Sequence, residues 1–183
     1  NDKVTYSFYD NGDIIISGTG ETKDFKDVEF LEELFTKSLE YYNIELTSDE
    51  QAIIGNGTLF GYFGLAIYNK EYYTEFKSSG SLKTREDVIN MVKSTTEYGD
   101  VFEDLVEKCS KLKFKNIIID NGVTAIGEYM FNSLVVDSIY ISDSVTTIYR
   151  NVFANVGVEN IRLSENLITL GGSSFSGAVL KSK

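Results

Sequence analysis

The sequence predicts an α+β protein, a short solenoid of 22-residue repeats that carries an N-terminal β-hairpin cap and a helical insert. Six apolar positions recur three times at a 22-residue spacing toward the C-terminus, a strong hairpin signal opens the chain, and helical patterns fill the stretch between them. On these observations we divide the chain into a capping hairpin at residues 1–23, a helical insert at 24–112 and repeats at 113–183.

The first segment has the pattern of a β-hairpin. Residues 4–8 alternate between faces, Asn11-Gly12 is a strong turn signal, and apolar residues resume at Ile14-x-Ile16. This last spacing is the one that returns in the repeats from Ile117 onward. We therefore expect the hairpin to cover one open end of the solenoid.

The middle segment is predicted to be helical. One helical stripe consists of Val28, Leu31, Phe35, Leu39 and Tyr42. Ser48 and Thr84 are predicted helix starts, and Leu59–Phe76 has a helical pattern interrupted by glycines. Gly99 is a predicted helix stop, and Asp100 is the predicted cap of the last helix.

The repeats are defined by six positions that are apolar in every copy. They are Ile117, Ile139 and Ile161; Ile119, Ile141 and Leu163; Val123, Val145 and Leu167; Ile126, Ile148 and Leu170; Phe131, Phe153 and Phe175; and Val136, Val158 and Leu180. The I-x-I spacing points two side chains to one face of a strand, and we expect each Phe to fill the interior. No copy can bury this set alone, so neighbouring copies must stack around a continuous apolar centre.

The stretch from Ile117 to Phe131 resembles the repeat of BspA-type (Treponema pallidum-type) leucine-rich repeat proteins, whose pattern is roughly I-x-I-P-x-x-V-T-x-I-G-x-x-A-F. The resemblance implies a leucine-rich repeat fold. It also implies a bacterial surface or secreted protein with an adhesive or protein-binding role.

The repeats depart from this pattern where we expect surface or tolerant positions. The departing residues are Asp120, Ser142 and Ser164 in place of Pro, Tyr149 in place of Gly, and Met130, Val152 and Ser174 in place of the small residue before Phe.

The amino-acid composition limits the kinds of active site and metal site that the chain can form. The chain has no His, which removes Ser-His-Asp and Cys-His arrangements and most transition-metal sites, so we expect no catalysis, metal or cofactor. Acidic pairs such as Glu71 and Glu75 are common, but helix-face acids at this spacing are usually solvated. Cys109 is the single cysteine and is expected to be a small buried hydrophobe.

Charge is unevenly distributed along the chain. The net charge is −11, of which residues 1–113 contribute −10 (12 Lys/Arg against 22 Asp/Glu) and residues 114–183 contribute −1 (5 against 6). An acidic protein repels phosphate backbones, so we do not expect a nucleic-acid partner. No apolar run approaches the length of a membrane span. The start at Asn1, without Met or a signal-like segment, suggests a processed product.

The candidate binding residues lie between the inward-pointing positions of the repeat strands. They are Ile118, Tyr140 and Arg162, with Asn116, Ser138 and Asn160 beside them. An aromatic residue next to an Arg on a strand ladder is typical of a protein-contact patch. An ordinary solvated face, with Ile118 covered by the insert, is the alternative interpretation.

A second aromatic group lies in the insert. It contains Phe60, Tyr62, Phe63, Tyr68, Tyr72, Tyr73 and Phe76. These rings could form a surface that stacks against carbohydrate, but we favour the interpretation that most of them fill the core of the insert and its seam with the solenoid.

The leading functional hypothesis is a secreted or cell-surface leucine-rich repeat module that binds a host or matrix protein without catalysis, with carbohydrate as a possible ligand. The alternative is a cytosolic acidic inhibitor or immunity-type protein that masks a basic partner. Binding that collapses at high salt would favour the alternative. A structural spacer without a partner is a third possibility.

Overall fold

The computed structural model describes residues 3–68, 84–112 and 114–180. The chain divides into two compact units, Asn1–Ser38 with Lys113–Lys183, and Leu39–Leu112. The described residues contain five helices: α1 Glu29–Tyr41, α2 Ser48–Ile54, α3 Gly57–Tyr68, α4 Arg85–Thr95 and α5 Gly99–Lys108.

In the described part of the first unit, ten strands form two sheets. The six-stranded sheet contains, in spatial order, β1 Val4–Phe8, β2 Asp13–Gly18, β4 Asn116–Ile119, β6 Val135–Ile141, β8 Gly157–Arg162 and β10 Val179–Leu180. The four-stranded sheet contains β3 Gly20–Glu21, β5 Val123–Ile126, β7 Thr147–Ile148 and β9 Thr169–Leu170. Strands β1 and β2 are antiparallel, and the other pairings are parallel.

The repeats pair in the predicted 22-residue register. Ile117 lies opposite Ile139, and Ile139 lies opposite Ile161. Ile117 and Ile139 are almost completely buried, whereas Ile161 in the last repeat is half-buried. Each repeat therefore covers the apolar side chains of the repeat before it, and the last repeat has no such neighbour among the described residues.

The phenylalanines of the repeats form a ladder of rings. Phe131 and Phe153 stack with centroids 5.7 Å apart, and Phe153 and Phe175 stack at 5.1 Å. Phe131 and Phe153 are fully buried, so the predicted interior position is confirmed for them. Phe30 of α1 meets the edge of the Phe131 ring at 5.8 Å and continues the ladder at its N-terminal end.

Each repeat also contains two residues in the left-handed backbone region, a feature absent from the sequence pattern. Tyr129, Asn151 and Ser173 share one position, and Ser133, Asn155 and Gly177 share the other, with φ between 57° and 67°. These residues flank the ring ladder, and the turns that contain them form backbone hydrogen bonds to the next repeat. Phe131 N, for example, donates to Val152 O at 3.0 Å. The Phe-bearing turns are therefore joined by hydrogen bonds as well as by stacking.

Five of the seven departures from the repeat pattern lie at buried positions and not on the surface. Ser142, Ser164, Met130, Val152 and Ser174 are all at most 6% exposed. The hydroxyl of Ser142 donates to Asp120 O at 3.0 Å in the preceding turn, and that of Ser174 donates to Gly171 O. The hydroxyl groups of Ser142 and Ser174 are therefore hydrogen-bonded inside the protein, which offsets the cost of burying them.

The predicted stripe of α1 is only partly correct. Phe35 and Leu39 are buried, but Val28, Leu31 and Tyr42 are half-buried, and the fully buried apolar residues of α1 are Phe30 and Leu34. The pattern contained two neighbouring stripes, and the ring ladder selects the one that contains Phe30.

The two predicted helix starts agree with the structure, whereas the predictions at Gly99 and Asp100 do not. Thr84 caps α4 in a capping box, and α2 begins at Ser48 as predicted, with Thr47 as its capping residue. Gly99 starts α5 instead of ending a helix, and Tyr98 rather than Asp100 precedes it. A Cβ on Gly99 would lie 2.5 Å from the Cα of Lys93, so close helix approach is the reason for this glycine.

The second unit contains an ion pair at the start of α2 in which Glu50 is buried and Lys108 is half-buried. The Glu50 carboxylate accepts hydrogen bonds from Lys108 Nζ at 2.7 Å and from the backbone N–H of Thr47 at 2.8 Å. Burial alone would raise the pKa of Glu50, but the bonds from Lys108 and Thr47 outweigh it and lower that pKa.

We expect Glu50→Gln to lower the free energy of unfolding by about 1–2 kcal/mol at neutral pH, because the charge-assisted bonds are weakened. A lowered folded-state pKa contributes stability above the unfolded value, and this contribution disappears as the pH falls through the folded value. The difference between variant and wild type should therefore shrink in acid. Urea unfolding from pH 3 to 7 measures it, with the exposed Glu107→Gln as control, and a pH-independent difference would contradict this assignment.

Candidate functional site

The six predicted binding residues lie on the outward side of the six-stranded sheet. Ile118, Tyr140 and Arg162 form one row across β4, β6 and β8, and Asn116, Ser138 and Asn160 form a second row beside it. Tyr140 is 47% exposed and Asn160 is exposed, whereas the other four are half-buried. The structure thus brings the predicted residues together on one surface, which we call the ladder face.

Arg162 is fixed by its neighbours on the ladder face. Its Nη1 donates to Ile141 O at 2.7 Å, and its Nη2 lies 2.8 Å from Asp143 Oδ1. The guanidinium carbon lies 5.0 Å from the centroid of the Tyr140 ring, within the range of a cation–π contact. The hydrogen bond from Arg162 lowers the pKa of Asp143, and the same bond raises the pKa of Arg162, so the pair is ionised at neutral pH.

The polar row continues beyond the repeats onto the hairpin. Ser138 Oγ donates to Asn116 Oδ1, and Asn116 Nδ2 donates to Asp13 Oδ1 at 2.7 Å. The central row continues in the same way, because Ile15 lies opposite Ile118. Asp13 and Ile15 were missed as site residues, although the shared I-x-I spacing was sufficient to place them.

The aromatic group of the insert is brought together only in part. Phe60 and Phe63 are buried and stack with centroids 6.3 Å apart, and Phe63 meets the edge of Phe102. These two rings belong to the core of the second unit, and Tyr62 is half-buried. The Tyr68 side chain and Tyr72, Tyr73 and Phe76 lie outside the described residues.

Metal-binding side chains are not assembled in the described part of the chain. No group of three or more Cys, Asp or Glu side chains there could hold a metal ion. Cys109 is fully buried, as predicted, and burial raises the pKa of its thiol to about 12. Among the residues that the structure describes, no helix combines the length and apolar character that a bilayer crossing requires.

Parallel strands in a fixed register, a ladder of buried rings and an ordered outward face define a repeat scaffold. Residues 105–182 match the family described as BspA type Leucine rich repeat region (6 copies). This part of the chain is similar to leucine-rich repeat regions of the BspA type, and the fold, with its helices and strands, is of the leucine-rich repeat type. No curated protein matches the sequence significantly.

Among solved structures, the chain is similar to the crystal structure of a leucine-rich repeat protein from Eubacterium ventriosum. The identity is 15% and the TM-score is 0.49. The match covers 98% of this chain and 29% of that chain, so this chain spans less than a third of the length of that protein.

The family supports a general class of function. Leucine-rich repeat regions generally bind proteins and are typically non-catalytic. The BspA-type family is typically surface-associated in bacteria.

Proposed function

We propose that this protein is a secreted or cell-surface leucine-rich repeat module that binds a host or matrix protein through the ladder face and performs no catalysis. The observation that carries the proposal is the Tyr140–Arg162 pair, held in a fixed geometry on a regular, outward-facing sheet.

The physical character of the pair suits protein recognition. Tyr and Arg are enriched among the residues that dominate binding energy at interfaces. Arg162 is held by Ile141 O and Asp143 before a partner arrives, so less side-chain entropy is lost on binding. Ile15 and Ile118 add an apolar segment to the same row. A partner would meet an apolar segment followed by an aromatic ring and a cation.

The architecture that we propose for this face is a short solenoid. The stacked rings and parallel strands support it, and the β1–β2 hairpin together with Phe30 would form its N-terminal cap. Within this proposal we keep the division into residues 1–23, 24–112 and 113–183.

We expect Tyr140→Ala to weaken binding to a responsive matrix protein by about tenfold or more, because the ring is the central exposed group of the face. Purified extracellular-matrix proteins immobilised on a sensor surface provide the measurement. Tyr41→Ala is the matched control, since Tyr41 is 45% exposed but belongs to a helix. The thermal midpoint of both variants should stay close to that of the wild type.

The role of Arg162 is tested by replacing its charge in two steps. Arg162→Lys keeps the cation but loses the planar fork, so binding should weaken partly, and Arg162→Gln should weaken it further. Binding that is unchanged in Tyr140→Ala and in Arg162→Gln would contradict the ladder face as the interface.

A cytosolic acidic inhibitor that masks a basic partner is the second candidate, supported by the net charge of −10 in residues 1–113. Affinity governed by that charge should fall steeply between low and high salt, whereas binding through the Tyr140 row should change little. Labelling of intact bacteria with an antibody separates the two locations.

A further inference from the structure

The chain contains three Asn-Gly pairs, Asn11-Gly12, Asn56-Gly57 and Asn121-Gly122. In such a pair the glycine nitrogen can attack the side-chain amide of the asparagine, because glycine has no Cβ to obstruct the approach. All three asparagines are exposed, so access to water does not distinguish them. They differ in the hydrogen bonds that hold the two reacting groups.

Asn11-Gly12 is held by hydrogen bonds on both reacting groups. Asn11 Oδ1 accepts from Asp13 N at 3.0 Å, and Asn11 Nδ2 donates to Asp13 Oδ2 at 3.0 Å. The nitrogen that would attack is also engaged, because Gly12 N donates to Tyr9 O at 2.9 Å. An attack would have to break these bonds, so the hairpin turn protects this asparagine.

Asn56-Gly57 is held by the start of a helix. Asn56 Oδ1 accepts from Leu59 N at 3.1 Å, and Asn56 O accepts from Phe60 N at 2.8 Å. Gly57 is the first residue of α3, so its backbone is fixed by the helix. The side-chain amide would have to leave Leu59 N before it could turn toward Gly57 N. The helix cap therefore protects the second asparagine.

Asn121-Gly122 lacks these restraints. The side chain of Asn121 forms no hydrogen bond with any residue in the described ranges, and Gly122 N donates to none of them. Gly122 O accepts from Gly20 N at 2.9 Å, a bond that does not involve the attacking nitrogen. The equivalent turn of the next repeat is tied more firmly, because Asp143 Oδ1 accepts from Glu165 N at 2.9 Å. Of the three pairs, this one has both reacting groups available.

We propose that Asn121 is a site of spontaneous covalent modification, at which the exposed turn between β4 and β5 deamidates. Gly122 N attacks Asn121 Cγ, so that an N–Cγ bond forms and the Cγ–Nδ2 bond breaks. The proton of the attacking nitrogen passes through water to the leaving group, so ammonia leaves and a succinimide ring remains. Water then adds to either carbonyl carbon and opens the ring, which gives aspartate or isoaspartate. The reaction consumes only water and does not depend on the ladder face.

The two products fit the turn differently. Aspartate places a carboxylate where the following repeats have Asp143 and Glu165, so the repeat geometry already accommodates it. Isoaspartate routes the main chain through the former side chain and adds a methylene group to the backbone. The turn has little room to lengthen, because Gly122 O is bonded to Gly20 N and a Cβ on Gly122 would lie 2.3 Å from Gly18 O. Isoaspartate should therefore weaken the contact between the end of β2 and the first repeat.

Peptide mapping by mass spectrometry of the full chain, incubated at pH 8, tests the site. In the folded protein we expect Asn121 to deamidate at least about tenfold faster than Asn11 or Asn56, because hydrogen bonds restrain the other two. In concentrated urea the three rates should converge, since each asparagine is then followed by an unrestrained glycine. An intact Asn121 in the folded protein, equal rates for the three asparagines there, or the folded-state ratio retained in urea would overturn the proposal.

Two variants separate the site from its consequence. Asn121→Gln should lose the modification, because the larger ring that glutamine requires forms more slowly, and its thermal midpoint should match the wild type. Asn121→Asp encodes the aspartate product and should also melt like the wild type. The isoaspartate form, separated by anion exchange from the incubated wild type, should melt at a lower temperature. Deamidation of this turn in Asn121→Gln would overturn the assigned residue, and an isoaspartate form as stable as Asn121→Asp would overturn the assigned consequence.

Discussion

Phe153→Ala is expected to lower the free energy of unfolding by about 3–5 kcal/mol, because it removes a fully buried ring from the middle of the ladder. Rings stack on both of its faces, at 5.7 Å to Phe131 and 5.1 Å to Phe175. Alanine would leave a cavity that neither neighbour can fill without breaking the backbone bonds between the turns. Urea unfolding followed by far-ultraviolet circular dichroism measures the loss.

Phe175→Ala is the matched control for this prediction. It removes the same ring from the last repeat, where the side chain is half-buried and stacks on one face only. We expect a loss of about 1–2 kcal/mol, since less apolar surface is removed from its buried environment. Equal losses for the two variants would show that the repeats do not support one another by stacking.

Gly122→Ala should lower the free energy of unfolding by at least about 2–3 kcal/mol. Gly122 has φ of 104°, a conformation that residues with a Cβ rarely adopt. A Cβ there would also lie 2.3 Å from the carbonyl oxygen of Gly18, so the turn between β4 and β5 would have to move away from the end of β2. Thermal unfolding and the same urea titration detect this change.

Gly61→Ala provides the opposite case. Gly61 lies inside α3, and nothing lies within 4 Å of the position of an added Cβ. Alanine should therefore stabilise the protein by about 0.5–1 kcal/mol through higher helix propensity. A stabilising Gly122→Ala, or a strongly destabilising Gly61→Ala, would contradict the backbone geometry described for these two sites.

The repeat register and the buried ring positions could be read from the sequence because they depend on a spacing that every copy obeys. Phe131 and Phe153 needed only the 22-residue period to be placed in the interior. The outward rows followed from the alternation of a strand, which is why Tyr140 and Arg162 were placed on one face together.

The remaining features depend on tertiary contacts, which cannot be read from a single sequence. The burial of Ser142 requires a carbonyl from the preceding turn, and the selection of Phe30 over Leu31 requires the ring of Phe131. Glycine is typical of the end of a helix, but Gly99 is required at the start of α5 because Lys93 approaches it closely. The left-handed conformation at Tyr129 carries no glycine signal, because tertiary bonding overrides the local preference, whereas Asn151 at the same repeat position is a residue type that favours this region.

The strand register has a consequence for how such a protein can change. Asp13 lies opposite Asn116, whereas Asn116 lies opposite Ser138, so the first of these intervals is 81 residues longer than the second (103 against 22). The same offset of 103 residues holds at Phe25, whose N–H donates to Glu128 O, and at Lys115, whose N–H donates to Gly12 O. All the extra length therefore lies between Phe25 and Lys115. The entropic cost of closing a connection grows slowly with its length. This segment can therefore be lengthened, replaced or removed without changing the strand register of either sheet.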